Sequence, residues 1–529
     1  MPTVLICDAI AEEGVELLRD RAEVLIAVGW ERERLLAEIP QADAVIVRSA
    51  TELDTELIDA ATKLRVIARA GVGVDNIDLD AATRRGIAVV NTPTGNTIAA
   101  AEHTMAMMLA LARRIPAANA ALKDGRWAKK EATGRQLFRK ALGIIGLGKI
   151  GQEVARRARA FEMTVIAHDP YVPADAARDL GAEPVELAQL LEKSDVISLH
   201  AALTEQTHHM IGREQLLLMK PGALLVNCAR GSLVDECALV EALTEGRLGG
   251  AALDVFEREP EPRCDLVGLP SVVATPHVAA STEEAQALVA REAAEQVLEV
   301  LSGGRPRWPV NVPALRREEL ESIGPFLPLA ERLGRVQAAL LAGPARQAAV
   351  YVRGGGAEEH LDIVGGHFLA GLLGTLADEP VNYVNAPVIA AERGIQMSHG
   401  VAADTRGYSR YIRASIADGE GPVEVAGAVL DRGQARIVEI AGFGLDLVPQ
   451  DTVLLILNSR PDRPGFVGTV GRILGDAGIS ILGIQVGREV IDGNGLMAVT
   501  VEGDVADTVR KQIAGQASVA RLEIVKFED

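Results

Sequence analysis

The chain has 529 residues, far more than one hydrophobic core accommodates, so several domains are expected. With 54 basic against 73 acidic residues, its formal net charge of -19 excludes the basic surface that a nucleic-acid or anionic-membrane partner requires. Four cysteines without a CxxC pair, and no histidines at metal-ligand spacing, leave no basis for a disulfide framework or a metal site.

The first residues, MPTVLICDAIAEEG, carry no cationic leader, and no uncharged apolar run is long enough to span a bilayer, so a cytoplasmic protein is expected. From residue 3 to about 92 short apolar runs (VLICDA, ADAVIVRS, LRVIARAG, IAVVNT) alternate with amphipathic ones such as EEGVELLRD and DLDAATRRG. That rhythm predicts parallel strands joined by helical crossovers. TIAAAEHTMAMMLALARRI (97–115) reads as a buried helix, after which the rhythm restarts. The strand candidates there are IIG, TVIAHD, VISLHA, ALLVNCA, GAALDVF and VVATPH, giving a second doubly wound α/β unit.

Residues 281–304 form a strong helix signal, with Ser281 as N-cap and Glu284 at the capping-box position. SGGRPRWPVNVPAL (302–315), rich in glycine and proline, reads as a linker. From about 316 to 450 strands and glycine-rich helices mix without a chemical constellation. Residues 452–529 have the βαβ-like order and size of a ferredoxin-like module.

The richest motif is ALGIIGLGKIGQEVARRARAF (141–161), an apolar strand that breaks into a glycine turn and opens a helix. Gly146 suits the tight turn, Gly148 the close approach of a pyrophosphate, and Gly151 the packing of helix on strand. Free amides at the helix start face the anion. The next strand, TVIAHD, ends at Asp169, 18 residues beyond Gly151 and close to the spacing of a ribose-binding acid. An acid there repels a 2′-phosphate, so the expected cofactor is NAD and not NADP.

Oxidation of an alcohol also needs a base for the hydroxyl proton and a cation for a neighbouring carboxylate. His277 (VVATPHVAAS), Arg230 (LLVNCARGSLVD) and Glu259 (DVFEREP) follow strand candidates beyond the glycine turn, where open α/β sheets place their ligands. A carboxylate bonded to the imidazole would fix its tautomer, and a guanidinium clamps a carboxylate with two parallel bonds.

GLGKIG, NCARGSLVDE, ALDVFEREP and TPHVAAST stand in the order found in the D-2-hydroxyacid dehydrogenase family, and RAGVGVDNIDL (69–79) is similar to its substrate-domain signature. The resemblance covers roughly residues 1–305. It implies two Rossmann-like domains, the nucleotide domain (96–282) inserted into a substrate domain made of residues 1–95 and 283–308. It further implies Arg230, Glu259 and His277 as the catalytic set. Nucleotide contacts carry over onto Gly146, Gly148, Lys149, Ile150, Gly151, Asp169, Ala201, Cys228, Ala229, Arg230, Asp254, His277 and Ala280. Substrate contacts carry over onto Arg48, Ser49, Gly73, Val74 and Arg230, with Arg69 or Lys129 assisting a phosphate.

NSRPDRPGFVGTVGRILGDAGISILGIQVGRE resembles an ACT domain (452–529), and EPVNYVNAPVIAAERGI resembles the α+β intervening domain (316–450) of the long-form branch of that family. That branch oxidises 3-phosphoglycerate to 3-phosphohydroxypyruvate in the first step of L-serine synthesis. The layout implies a homodimer or homotetramer and an L-serine effector site using Asp462 and Ser480. Ser480 replaces the usual asparagine, and a hydroxyl offers fewer bonds than an amide, so weak or absent inhibition is expected. The pocket residues leave open another 2-hydroxyacid as substrate, and the fold also hosts NAD-responsive corepressor-like proteins. The acidic charge and the intact Arg, Glu and His set favour catalysis.

Overall fold

The computed structural model describes residues 1–377, 379–417, 422–458, 465–488 and 495–527. Four sheets follow one another along the chain. The first joins β1 (Thr3–Ile6), β2 (Glu23–Ile26), β3 (Ala44–Val47), β4 (Val66–Arg69) and β5 (Ala88–Val90), all parallel, in the order β2-β1-β3-β4-β5. Its strands are short and almost wholly apolar because helices cover both faces. The helix Glu283–Leu301 closes one face: its Val289, Ala293 and Val297 share a core with Val4, Ile6, Val66 and Ala68.

Thr97–Arg113 is the expected buried helix, with Met105, Met107 and Met108 in the core. It stops at Arg114, which takes a left-handed conformation (φ 53°), and Pro116 starts the next helix. The second sheet comprises β6 (Ala141–Ile145), β7 (Thr164–His168), β8 (Glu183–Pro184), β9 (Val196–Leu199), β10 (Leu224–Asn227), β11 (Gly250–Leu253) and β12 (Val272–Ala274). Its order is β12-β11-β10-β9-β6-β7-β8, so the winding reverses between β6 and β9. A crevice opens at that reversal, at the carboxyl ends of the strands.

Beyond residue 316 the helices Phe326–Leu340 and Leu361–Gly374 pack on a six-stranded sheet, β13 (Gln347–Arg353), β14 (Gln396–Val401), β15 (Tyr411–Ala417), β16 (Pro422–Val429), β17 (Ala435–Ile440) and β18 (Phe443–Leu447). The last sheet holds β19 (Asp451–Asn458), β20 (Ile481–Arg488), β21 (Gly495–Val501) and β22 (Val519–Phe527) in the antiparallel order β20-β21-β19-β22. With helices Phe466–Asp476 and Asp507–Ala514 on one core, this is the ferredoxin-like arrangement.

Two local expectations are corrected. The N-cap of the return helix is Thr282, whose hydroxyl accepts from the Ala285 amide, and not Ser281; Ser281 lies in the preceding turn, its amide donating to the Val278 carbonyl. With the cap shifted by one, Ala285 occupies the third helical position and no capping box forms with Glu284. The supposed linker is not a free tether either. Pro309 bridges Val90 in antiparallel fashion, the Val310 amide donates to the Val89 carbonyl (2.7 Å), and Asn311 accepts from the Val89 amide (2.9 Å). Prolines disfavour helix but are tolerated along a sheet edge, and this segment is laid on the open edge of β5.

Candidate active site

Each glycine of the turn after β6 has a separate steric role. Gly146 has φ 91°, and a Cβ there would come within 2.6 Å of the Ala201 amide at the end of β9. Only glycine lets β6 and β9 part at this point. A Cβ on Gly151 would overlap the Gly146 carbonyl, so the third glycine sets the approach of the helix Lys149–Ala160 to its strand. At Gly148 a Cβ would meet nothing within 4 Å. The turn therefore leaves open space before the helix amides, which suits a pyrophosphate. Asp169 at the end of β7 accepts from the Leu147 amide (2.8 Å) and the Tyr171 amide (2.9 Å), so the ribose-side acid also braces the turn. Exposed Lys149 extends over the Trp308 ring, 4.7 Å from its centroid. Open turn, amides and acid together fit a dinucleotide.

One cleft between the first two sheets gathers most of the predicted residues. Arg48, Ser49, Gly73 and Val74 line it from the first sheet; Ile150, Ala201, Cys228, Ala229, Arg230, His277 and Ala280 line it from the second. Burial and the neighbouring charge of Asp254 push the Cys228 thiol up to about 12, so it stays protonated and is no nucleophile. Lys129 is exposed and forms no part of the wall.

His277 follows β12 with a left-handed backbone (φ 53°), a conformation that costs a non-glycine residue about 1–2 kcal/mol. Asp254, fully buried after β11, holds it there. The His277 amide donates to the Asp254 carbonyl (2.8 Å), while the Asp254 carboxylate accepts from the Val278 and Ala279 amides (both 2.9 Å) and from Thr275 Oγ1 (2.5 Å). His103 Nε2 stands 3.3 Å from the same carboxylate. Burial opposes the charge on Asp254, but these bonds outweigh it and hold the carboxyl below its usual range. The structure thus places Asp254 beneath the loop that presents His277.

His277 Nδ1 lies 2.7 Å from Glu259 Oε2, and the other Glu259 oxygen accepts from the Phe256 amide (3.0 Å). Burial would raise the Glu259 carboxyl, yet the bonds from His277 and Phe256 keep it low, so it is anionic at neutral pH. With Nδ1 engaged, Nε2 is the nitrogen left for a substrate proton.

Arg230 Nε donates to Asp75 Oδ2 (2.8 Å), bridging the lobes across 155 positions of sequence. Its Nη2 occupies the space a Cβ at Gly73 would take. Gly73→Ala is accordingly expected to displace the guanidinium and lower kcat/KM at least tenfold, as about 1.4 kcal/mol of lost contact would, without changing NADH affinity. Steady-state kinetics with an NADH titration check this. Arg69, also in the wall, has its Nε buried with no hydrogen-bond partner. Burial and the charges of Arg230 and Arg48 bring it down to about 10, so three cations converge where an anion would relieve their repulsion.

Asp75, His103 and Thr275 were not expected from the sequence. At the carboxyl-terminal module, Asp462 lies outside the described residues, and Ser480 is exposed just before β20.

Fold and site together define a dinucleotide-dependent dehydrogenase. Residues 105–279 match the D-isomer specific 2-hydroxyacid dehydrogenase, NAD binding domain; residues 322–441 match the D-3-phosphoglycerate dehydrogenase intervening domain, and 453–513 the ACT domain. The D-3-phosphoglycerate dehydrogenase of Methanocaldococcus jannaschii is 41% identical over 528 residues, covering 100% of both chains, and that of Bacillus subtilis 37% identical, covering 99% of each. Among solved structures, D-lactate dehydrogenase from Aquifex aeolicus, complexed with NAD and lactic acid, is 33% identical with TM-score 0.52, over 57% of this chain and 96% of that one. The chain belongs to the D-3-phosphoglycerate dehydrogenase family.

Proposed function

We propose that Arg230, Glu259 and His277 carry out the NAD-dependent oxidation of 3-phospho-D-glycerate to 3-phosphohydroxypyruvate, the first step of L-serine synthesis. The observation that carries these roles is the Glu259–His277 pair at 2.7 Å, with the ring of His277 and the guanidinium of Arg230 in the wall of one cleft.

Arg230 holds the substrate carboxylate, which takes up positive charge that Asp75 only partly balances. Arg48 and Arg69 receive the phosphate. His277 Nε2 accepts the C2 hydroxyl proton, and anionic Glu259 stabilises the imidazolium through Nδ1–H. The glycine turn, Ile150 and Asp169 would hold NAD, with Ala201, Cys228, Ala229 and Ala280 beside it, and the bound cofactor would supply the acceptor for the C2 hydrogen and its two electrons. Asp254 keeps the His277 loop in register.

The test is substrate choice in the reverse direction. With NADH, kcat/KM for 3-phosphohydroxypyruvate should exceed that for unphosphorylated hydroxypyruvate by about a hundredfold, as roughly 3 kcal/mol of charge-assisted bonding implies. Equal values would remove Arg48 and Arg69 from phosphate binding, and no NADH consumption with either would remove the activity.

The ACT module, with Asp462 and Ser480, is the proposed place for a weakly held amino-acid effector such as L-serine. Pairing of subunits into a homodimer or homotetramer, and a cytoplasmic setting, complete the reading. No helix among the described residues is long and apolar enough to cross a membrane.

A further inference from the structure

A second cavity, of about 730 Å³, lies between the end of the helix Glu283–Leu301, the segment 305–317 and the intervening unit. That volume is ample for a small molecule. Much of its wall is apolar, with Trp308, Val312, Leu315 and Leu320 among the lining residues. Each guanidinium of its wall faces a carboxylate, with one exception. Arg307 is paired with Glu295 (3.0 Å) and Glu299 (3.8 Å), Arg317 with Glu321 (3.3 Å), and Arg316 with Glu319.

Arg305, also in the wall, has no carboxylate of the described residues acting on it, and its Nη1 is buried without a hydrogen-bond partner. Its guanidinium lies 4.6 Å from the Tyr383 ring centroid, and His367 stacks on Tyr383 with centroids 5.0 Å apart. Both His367 nitrogens are buried and unpartnered. Burial, reinforced by the charge of Arg305, brings this histidine down to about 3, so it is neutral and adds no second positive charge. A largely apolar chamber in which one guanidinium has no carboxylate partner and keeps a buried, unbonded Nη1 suits a ligand with a single carboxylate and an apolar body; a phosphate dianion would need a second such cation.

We propose that this cavity binds a small monocarboxylate through Arg305, and that occupancy is transmitted to the nucleotide turn through Trp308. The link is physical: the Trp308 indole forms part of the cavity wall and at the same time carries Lys149, the first residue of the helix after the glycine turn, at 4.7 Å. A ligand that shifts the indole shifts the ammonium beside the bound dinucleotide.

The test uses the full chain with Trp30→Phe and Trp127→Phe, which leaves Trp308 as the sole tryptophan of the three. Benzoate is the probe, benzamide its uncharged counterpart and inorganic phosphate the competitor. Benzoate should quench Trp308 fluorescence saturably, benzamide should bind at least about tenfold more weakly, the size of one charge-assisted bond, and phosphate should not displace benzoate. Arg305→Gln should weaken benzoate by a similar factor. Ala314→Phe, which narrows the cavity from its wall, should weaken it as well and guards against a folding defect in the first variant.

Arg230 is intact in both variants, so benzoate binding that survives them belongs to the catalytic cleft and overturns the proposal, as does equal binding of benzamide. Saturating benzoate should also change NADH affinity about two- to fivefold, the range an exposed cation–π contact permits. The change should vanish in Lys149→Met; an unaltered NADH affinity overturns the transmission. None of these measurements depends on turnover, so their failure is separable from failure of the proposed oxidation.

Discussion

Replacing His277 by alanine is expected to lower kcat by about two to four orders of magnitude while leaving NADH affinity within about twofold of the parent. Among the described residues lining the cleft, His277 is the base whose Nε2 is left free by a carboxylate 2.7 Å from Nδ1. The other histidine of the cleft wall, His200, does not replace it: it is half-buried, and desolvation pushes its pKa down to about 4. Because residue 277 has a left-handed backbone (φ 53°), alanine adds a conformational penalty to the chemical loss. His277→Asn separates the two, since asparagine tolerates that conformation. Both variants should lose turnover equally, and near-native turnover in either would remove His277 from the mechanism. Glu259 can be examined alongside: with glutamine there, the ring loses the anion that fixes its tautomer and balances its charge.

Arg230→Ala is expected to lower kcat/KM for 3-phosphohydroxypyruvate by about a thousandfold. One charge-assisted pair contributes about 1.5–3 kcal/mol, and stabilisation of charge developing at the neighbouring carbonyl adds to it. The variant also takes from the Asp75 carboxylate its hydrogen-bonded cation, so that more of its charge repels the anionic substrate. Arg230→Lys should recover only part of the loss, because an ammonium cannot serve Asp75 and a carboxylate with a rigid fork. Steady-state kinetics of both variants, with NADH binding as control, decide the matter; a KM and kcat like those of the parent would assign Arg230 to structure alone.

Much of this site was legible in the sequence because its parts are local. The glycine turn is a strand, three glycines and a helix in continuous sequence, and the spacing to Asp169 is set by one helix and one strand. His277, Glu259 and Arg230 lie in short segments that follow strands, where the topology forces loops into the crevice. What was not legible depends on pairing over long separations. The His103–Asp254–Thr275 network joins side chains up to 172 positions apart, and none of the three carries a local signature of that contact. Asp75 is an ordinary loop acid until the fold brings Arg230 to it. The N-cap missed by one residue for a different reason: Ser281 and Thr282 are both good caps, and only the turn before them decides which begins the helix.

The strip from Trp308 to Asn311, which at first reads as a tether, sits against β5 and satisfies backbone groups along that strand. Its role is therefore protective. A fragment ending at Leu301 would keep the whole cleft yet uncover a raw sheet margin, with amides free to recruit the backbone of a neighbouring molecule. A fragment carried past Asn311 would retain its own selvage. The boundary of the self-sufficient front half thus falls some ten residues later than the last helix suggests, and the rear modules hang from a seam sewn into that half.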